Sequence, residues 1–288
     1  MINEIMNIEF DYMVDTTNLS TFRIKGKVKG VFYPKNEQEF INIYQFLKKN
    51  NLPFEVIGNG SNVLFSNKSK DILIISTKKL KQTIKINKEN VIASSSTTLN
   101  KVFLSCYKNG LSGFEQLASI PATVGGALKM NAGAFGRSIF DILEKVKICK
   151  DDKVLNLRKD QLHFGYRMTD LHDCIILSAK FKLIKENKCN IYKNYISCLN
   201  ARREKQPVGQ SIGSIFKNPE RYSAGFLIEE CGLKGLKHND AMISDKHANI
   251  IINTANATYD DIIYLIELCK KSVKEKFNID LETEIKII

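Results

Sequence analysis

Two glycine-rich segments hold the densest chemistry-bearing pattern in this chain of 288 residues. The first is Gly58-Asn59-Gly60-Ser61-Asn62. The second runs Ser119-Ile120-Pro121-Ala122-Thr123-Val124-Gly125-Gly126-Ala127 and continues to Asn131-Ala132-Gly133-Ala134. Small residues let a backbone approach a ligand closely and turn its N–H groups toward an anion. Two such cradles suit a large phosphate-bearing ligand gripped from two sides. Neither fits a common nucleotide template. Val63 stands where G-x-G-x-x-G needs its third glycine, and no G-x-x-x-x-G-K-[ST] occurs. Taken alone, the first segment reads equally as a tight turn or a phosphate loop. The second favours ligand contact, because Pro121 fixes one φ and the paired glycines and nearby alanines keep the surroundings shallow.

Three further features carry weaker signals. Arg is scarce, with seven against 36 Lys, so Tyr166-Arg167 stands out. A guanidinium suits a bidentate grip on a carboxylate, although an ion pair with Asp170 or Asp173 is the plainer reading. Ser214, in Gly213-Ser214-Ile215-Phe216-Lys217-Asn218-Pro219, is not a G-x-S-x-G elbow, and by itself it reads as structural. Lys217, Asn218 and the run Arg202-Arg203-x-Lys205 could bind a diphosphate or could form a solvated face. Glu284 opens the last apolar stretch and would not be noticed alone.

The elements that must position these residues are mixed α/β. Phe54 to Ile57 reads as a buried strand running into Gly58, which puts the first cradle at a strand's carboxyl end, a usual ligand position in such folds. Helices are expected over Glu37 to Asn50, Leu99 to Asn109 (capped by Thr97 or Thr98), Ile191 to Glu204, Ala224 to Cys231 behind Ser223, and Thr258 to about Phe277. Thr258 and Asp261 make a capping box. Strands are expected at Gly30–Pro34, Ile72–Ile75, Thr83–Ile86, Val91–Ser94, Val146–Cys149, Val154–Leu157, Ile175–Leu183, Ala248–Ile252 and Glu284–Ile288. The hydrophilic stretch from Lys185 to Asn190 is a candidate boundary.

Composition narrows the function classes. Hydrophobic residues make up 43%, enough for a sizeable core. The formal net charge is +12, but dispersed Lys with no zinc-finger spacing argues against a nucleic-acid groove and is compatible with an anionic substrate. The seven cysteines form no C-x-x-C pair, which discourages disulfides and zinc, and the four His lack metal spacing, so no metal is expected. No apolar run approaches the roughly 20 residues of a membrane span, and the N-terminus lacks a secretion signal. A cytoplasmic protein without membrane insertion is expected.

In register, these pieces resemble one family, the UDP-N-acetylenolpyruvoylglucosamine reductases. The matching stretches include Thr21-Phe22-Arg23-Ile24, both cradles, Phe164-Gly165-Tyr166-Arg167, Gly213 to Pro219, Ala224 to Glu229, Gly232-Leu233-Lys234-Gly235, Lys246-His247-Ala248-Asn249 and Glu284 to Ile288. The resemblance implies a three-domain flavoenzyme, with a vanillyl-alcohol-oxidase-type FAD-binding module in residues 1–70 and 71–187 and a UDP-sugar substrate domain in 188–288. It implies tightly bound, non-covalent FAD, NADPH as hydride donor, and reduction of UDP-N-acetylglucosamine enolpyruvate to UDP-N-acetylmuramate by a monomer. An oxidase of another small alcohol is the alternative on the same fold. FAD contacts are implied for Gly58, Asn59, Gly60, Ser61, Asn62, Ser119, Ile120, Pro121, Thr123, Gly125, Gly126, Asn131 and Ala132. Arg167, Ser214 and Glu284 match the catalytic positions, and Tyr166, Arg167, Lys205, Lys217 and Asn218 match substrate positions. The chain is short after Arg167 and after Pro219, which resembles the form without a substrate-covering tyrosine loop. It departs from the family at Ser119 and Ala122, where Gly is usual and a positive φ would strain either residue.

Overall fold

The computed structural model describes residues 8–66 and 68–288. The chain forms two compact units. Among the described residues, one comprises 8–11, 30–59 and 73–202, and the other 12–29, 60–66, 68–72 and 203–288.

The first unit contains two apolar cores. In one, the helix Glu37–Lys49 lays Phe40, Ile43, Tyr44 and Leu47 against Phe32, Leu73 and Ile75. This helix starts where Asn36 Oδ1 accepts the Glu39 N–H at 2.9 Å. Its sheet runs in the order Phe10–Asp15, Lys27–Phe32, Leu73–Ser76, Phe54–Ile57. The last three strands are parallel, with Phe54 opposite Leu73 and Ile57 opposite Ser76. Phe54–Ile57 is therefore an edge strand, and its carboxyl end delivers the chain to Gly58.

The second core lies on an antiparallel sheet ordered Lys153–Arg158, Leu143–Lys150, Ile175–Lys182, Asn90–Ser94, Ile84–Asn87. The strand Ile175–Lys182 serves both cores. Ile175 and Leu177 belong to the first, while Ile176, Ala179 and Phe181 belong to the second. Simple alternation forbids this, because 177 and 179 would share a face. The register resolves it: Lys147 pairs with Ser178 but Ile148 with Ile176, which leaves Leu177 as an extra residue. A bulge of one residue inverts the facing of everything beyond it. The helices Leu99–Lys108, capped by Thr98, and Val124–Lys129, capped by Thr123, cover this core.

The helix expected over Ile191 to Glu204 runs Lys188–Lys205, beginning inside the hydrophilic stretch. Only Ile191 is buried along it, so burial periodicity could not mark its start. Tyr195 packs on Phe103 with ring centroids 4.2 Å apart.

The second unit has one core. The helix Tyr259–Phe277 buries Ile262, Leu265, Ile266, Cys269 and Val273, a single apolar stripe. Thr258 and Asp261 form the expected capping box, and Asn278 ends the helix at φ 55. Ala224–Glu230 follows its Ser223 cap. Three antiparallel strands, Lys237–His238, Ala241–Ile243 and Ile251–Asn253, complete the layer. The strand expected at Ala248–Ile252 is thus shifted toward Asn253. The final strand is reduced to Lys286–Ile287, parallel to Val63–Leu64.

Candidate active site

Gly58 and Asn59 of the first cradle meet the second cradle within the first unit. The chain leaves the edge strand at Gly58, where a Cβ would stand 2.5 Å from Thr123 Oγ1. That hydroxyl also accepts the Gly126 N–H at 3.2 Å, capping the short helix. Asn59 Nδ2 donates to Pro121 O at 3.0 Å. Beneath the second cradle lies the turn after Asn90–Ser94. Gly125 N–H donates to Ser95 O and Val124 N–H to Thr97 O, both at 2.8 Å, and a Cβ on Gly125 would stand 3.0 Å from Ser95 Cβ. Gly58 and Gly125 are therefore small so that loops can close on one another. Gly126 is exposed, with its N–H engaged in the Thr123 cap. Ile120 is half-buried against the second core, and Ala132 is buried, its N–H held by Ala127 O. Neither Ser119 nor Ala122 has a positive φ, so the two departures from glycine are unstrained.

Among the described residues, Ser76 Oγ, Ser95 Oγ, Glu115 Oε1, Gln116 Oε1 and Ser119 Oγ are buried without a protein partner. Ser76 pairs with Ile57 beside Gly58, Ser95 underlies Gly125, and Gln116 and Ser119 lead into the second cradle. Buried polar atoms ordinarily have partners; the three serine hydroxyls can donate to phosphate oxygens, and the Glu115 and Gln116 oxygens call for donors such as ligand hydroxyls, so the set fits a ligand that carries both. The donor set suits FAD. Sequence reasoning missed the Ser94–Thr97 turn, since nothing in its spacing announces a neighbour some thirty residues ahead.

The helix Val124–Lys129 is about 9 Å long. Beyond its far end stands Arg167, on a two-residue turn between Phe164–Gly165 and Met168–Thr169. Arg167 has φ 54, a region that costs a non-glycine residue roughly 1–2 kcal/mol. Its guanidinium donates from Nη2 to Gly133 O at 2.9 Å and from Nη1 to Asn131 O at 3.4 Å, and it lies 5.1 Å from the Tyr166 ring. Tyr166 is 53% exposed, available to a ligand.

In the second unit, Gly60 has φ 69, and a Cβ there would collide with Leu19 O. Ser61 is half-buried. Asn62 Nδ2 donates to Glu284 O at 3.1 Å, and Asn62 O accepts the Lys286 N–H at 3.0 Å. Ser214 bridges Ile250, and Phe216 bridges Thr283. The Glu284 N–H donates to Ile215 O at 2.8 Å, so Ser214 and Glu284 belong to adjacent extended segments. Asn249, 3% exposed, clamps this arrangement: its Oδ1 accepts the Phe216 N–H at 2.9 Å and its Nδ2 donates to Phe216 O at 2.8 Å. Burial pushes His247 below the ordinary imidazole value, consistent with a neutral ring whose Nδ1 accepts the Asn249 N–H. Asn249 lies in the family-like stretch Lys246-His247-Ala248-Asn249, but its role depends on a partner 33 residues away. Lys217 pairs with Glu282, Asn218 Oδ1 accepts the Ala224 N–H at 3.0 Å, and Lys205 is exposed at the end of its helix.

The first unit thus brings together Gly58, Asn59, Ser119 to Gly126, Asn131, Ala132, Tyr166 and Arg167. The second brings together Gly60, Ser61, Asn62, Ser214, Lys217, Asn218 and Glu284. All seven cysteines are free. Among the described residues, no cluster of His, Cys, Asp and Glu could hold a metal ion, and no helix is long and apolar enough to cross a membrane.

This fold and cradle define a flavoprotein of the FAD-binding class. Residues 28–155 match the FAD binding domain family, and residues 204–288 match the UDP-N-acetylenolpyruvoylglucosamine reductase C-terminal domain. The UDP-N-acetylenolpyruvoylglucosamine reductase of Chloroherpeton thalassium is 39% identical over 93% of this chain and 90% of its own. That of Clostridium kluyveri is 36% identical over 100% and 96%. The crystal structure of the Thermus caldophilus reductase superposes with a TM-score of 0.83 at 32% identity, covering 97% of this chain and 98% of that one. A solvent-stable cholesterol oxidase shares the fold alone, with a TM-score of 0.50 over 62% of this chain and 38% of its own. The chain belongs to the UDP-N-acetylenolpyruvoylglucosamine reductase family.

Proposed function

We propose that this protein catalyses NADPH-dependent reduction of UDP-N-acetylglucosamine enolpyruvate to UDP-N-acetylmuramate with bound FAD, a step of peptidoglycan precursor synthesis. The observation that carries the reading is the adjacency of Ser214 and Glu284, joined through Ile215 O, in a chain similar to these reductases from end to end. Bound FAD supplies the hydride transfer between NADPH and the enol ether. Gly58 to Asn62, Ser119, Ile120, Pro121, Thr123, Gly125, Gly126 and Ala132 would hold it, several of the glycines by letting the surrounding loops close. Residues 1–70 and 71–187 make up this module, and residues 188–288 take the UDP-sugar.

As hydride adds to the terminal enolpyruvyl carbon, negative charge moves toward the substrate carboxylate. Arg167 opposes that charge with a fixed planar cation, which is worth most where water is excluded. A proton must then reach the neighbouring carbon. Ser214 donates it; a hydroxyl is a weak acid, so this demands a basic enolate and in-line placement. Glu284 supports the charged intermediate by a hydrogen bond or through water. Tyr166, Lys205, Lys217 and Asn218 grip the sugar nucleotide. The enzyme works as a cytoplasmic monomer, which fractionation and sedimentation can check.

The purified protein should carry a flavin spectrum that NADPH bleaches and that anaerobic UDP-N-acetylglucosamine enolpyruvate restores. Bleaching without restoration by that substrate overturns the reading.

A further inference from the structure

We propose that Asn131, by resemblance a cofactor contact, is the positioning residue that aims Arg167. The inference rests on the reading that Arg167 stabilises charge on the substrate. Asn131 is 6% exposed and stands just past the end of Val124–Lys129 with φ 46. Both ends of its amide are engaged by protein. Nδ2 donates to Gly165 O at 2.9 Å, and Oδ1 accepts the Phe140 N–H at 3.4 Å. Its main-chain oxygen accepts from the Arg167 guanidinium. One residue therefore holds the arm before the turn by its side chain and the guanidinium on the turn by its backbone.

The chemistry selects asparagine. Few residues other than glycine and asparagine tolerate this backbone region, and glycine has no amide to span the gap. Aspartate fits the backbone but cannot donate to Gly165 O. The hold is needed because Arg167 itself sits at positive φ in a two-residue turn, a strained conformation that neighbours must maintain. The arm after the turn has its own fastening. Thr169 Oγ1 donates to Lys129 O at 3.0 Å, and Lys129 Nζ donates to the carbonyls of Leu171, His172 and Cys174 at 2.5, 3.0 and 2.7 Å. With both arms fixed to the helix that begins at Thr123, the guanidinium keeps a set direction relative to the cradle.

Asn131→Gly and Asn131→Asp, each in the full chain loaded with FAD, test this. Limited trypsin digestion, read by fragment mass, should cut the Arg167–Met168 bond about fivefold faster in both variants, because the turn opens more often. Turnover with UDP-N-acetylglucosamine enolpyruvate should fall about tenfold in kcat, the scale of one lost hydrogen bond in the transition state. In an Arg167→Lys background the same substitutions should cause no further loss, since a residue acting through Arg167 has nothing left to aim. Wild-type cutting rates, or a full additional loss in that background, overturn the proposal. If the unsubstituted protein fails to turn over this substrate, the activity reading falls, while the digestion still decides whether Asn131 holds the Arg167 turn.

Discussion

Gly58 and Thr123 lie so close that a single methyl on Gly58 would stand 2.5 Å from the Thr123 hydroxyl oxygen. That hydroxyl caps the helix that carries the exposed Gly126 of the second cradle. Gly58→Ala must therefore displace Thr123, break the cap and part the two loops. Overpacking of this kind costs about 1–3 kcal/mol. We expect a lower unfolding midpoint and a lower flavin-to-protein ratio after purification. Full flavin content with an unchanged midpoint would show that the loops yield without cost.

Ser214→Ala should separate the two halves of the reaction. NADPH should still bleach the flavin, while steady-state reduction of the enolpyruvyl sugar nucleotide falls by about 10²–10⁴-fold, the range for losing a positioned proton donor. Stopped-flow flavin spectra with each substrate resolve the halves. Turnover at the parent rate removes Ser214 from the mechanism.

Arg167→Lys keeps the charge and loses the planar fork that reaches Asn131 O and Gly133 O together. The expected loss in kcat is on the order of 10²-fold, comparable to removing one preorganised donor from a charged transition state. A kcat within a fewfold of the parent would mean that a point charge suffices.

Asn249→Ala strips both partners from the Phe216 backbone, which is buried beside Ser214. Two unsatisfied groups should lower stability by on the order of 3 kcal/mol. Turnover should fall in the protein that remains folded, because the Ser214 segment loses its clamp. Urea unfolding and activity at a temperature below the transition measure the two effects separately.

Asp261 gives stability a pH dependence. Burial pushes its carboxyl up, but hydrogen bonds from Thr258 and Asn239 and the nearby His238 outweigh this and hold it below the usual carboxylate value. A lowered folded value means the contribution is present above the unfolded value of about 3.9 and is lost as pH falls through the folded one. Asp261→Asn should be less stable than the parent near neutral pH, and the gap should narrow below about pH 4. Denaturant midpoints across that range read it directly; a constant gap would contradict the sign.

Several elements were legible from short spacings alone. Thr258 with Asp261 and Ser223 before its helix each cap a helix as read, and of the two candidates before Leu99 it is Thr98 that caps, because a cap joins residues two or three apart. The ordered motifs also pointed to the family and its cofactor. The start of the Lys188–Lys205 helix was not legible, since only Ile191 is buried along it. The bulge at Leu177 was equally hidden: a run of apolar residues shows burial but not the residue at which facing inverts.

The sequence by itself determined the family, the cradle-forming segments and the residue types available for chemistry, because these lie in contiguous motifs. Only the tertiary structure decided what those residues touch. It set Gly58 against Thr123, turned the Asn131 amide to Gly165 and Phe140, and clamped Phe216 with Asn249. Such contacts join positions from nine to 65 residues apart, and no local periodicity encodes a partner at that distance. They arise only when cores pack and bring distant loops to a single separation.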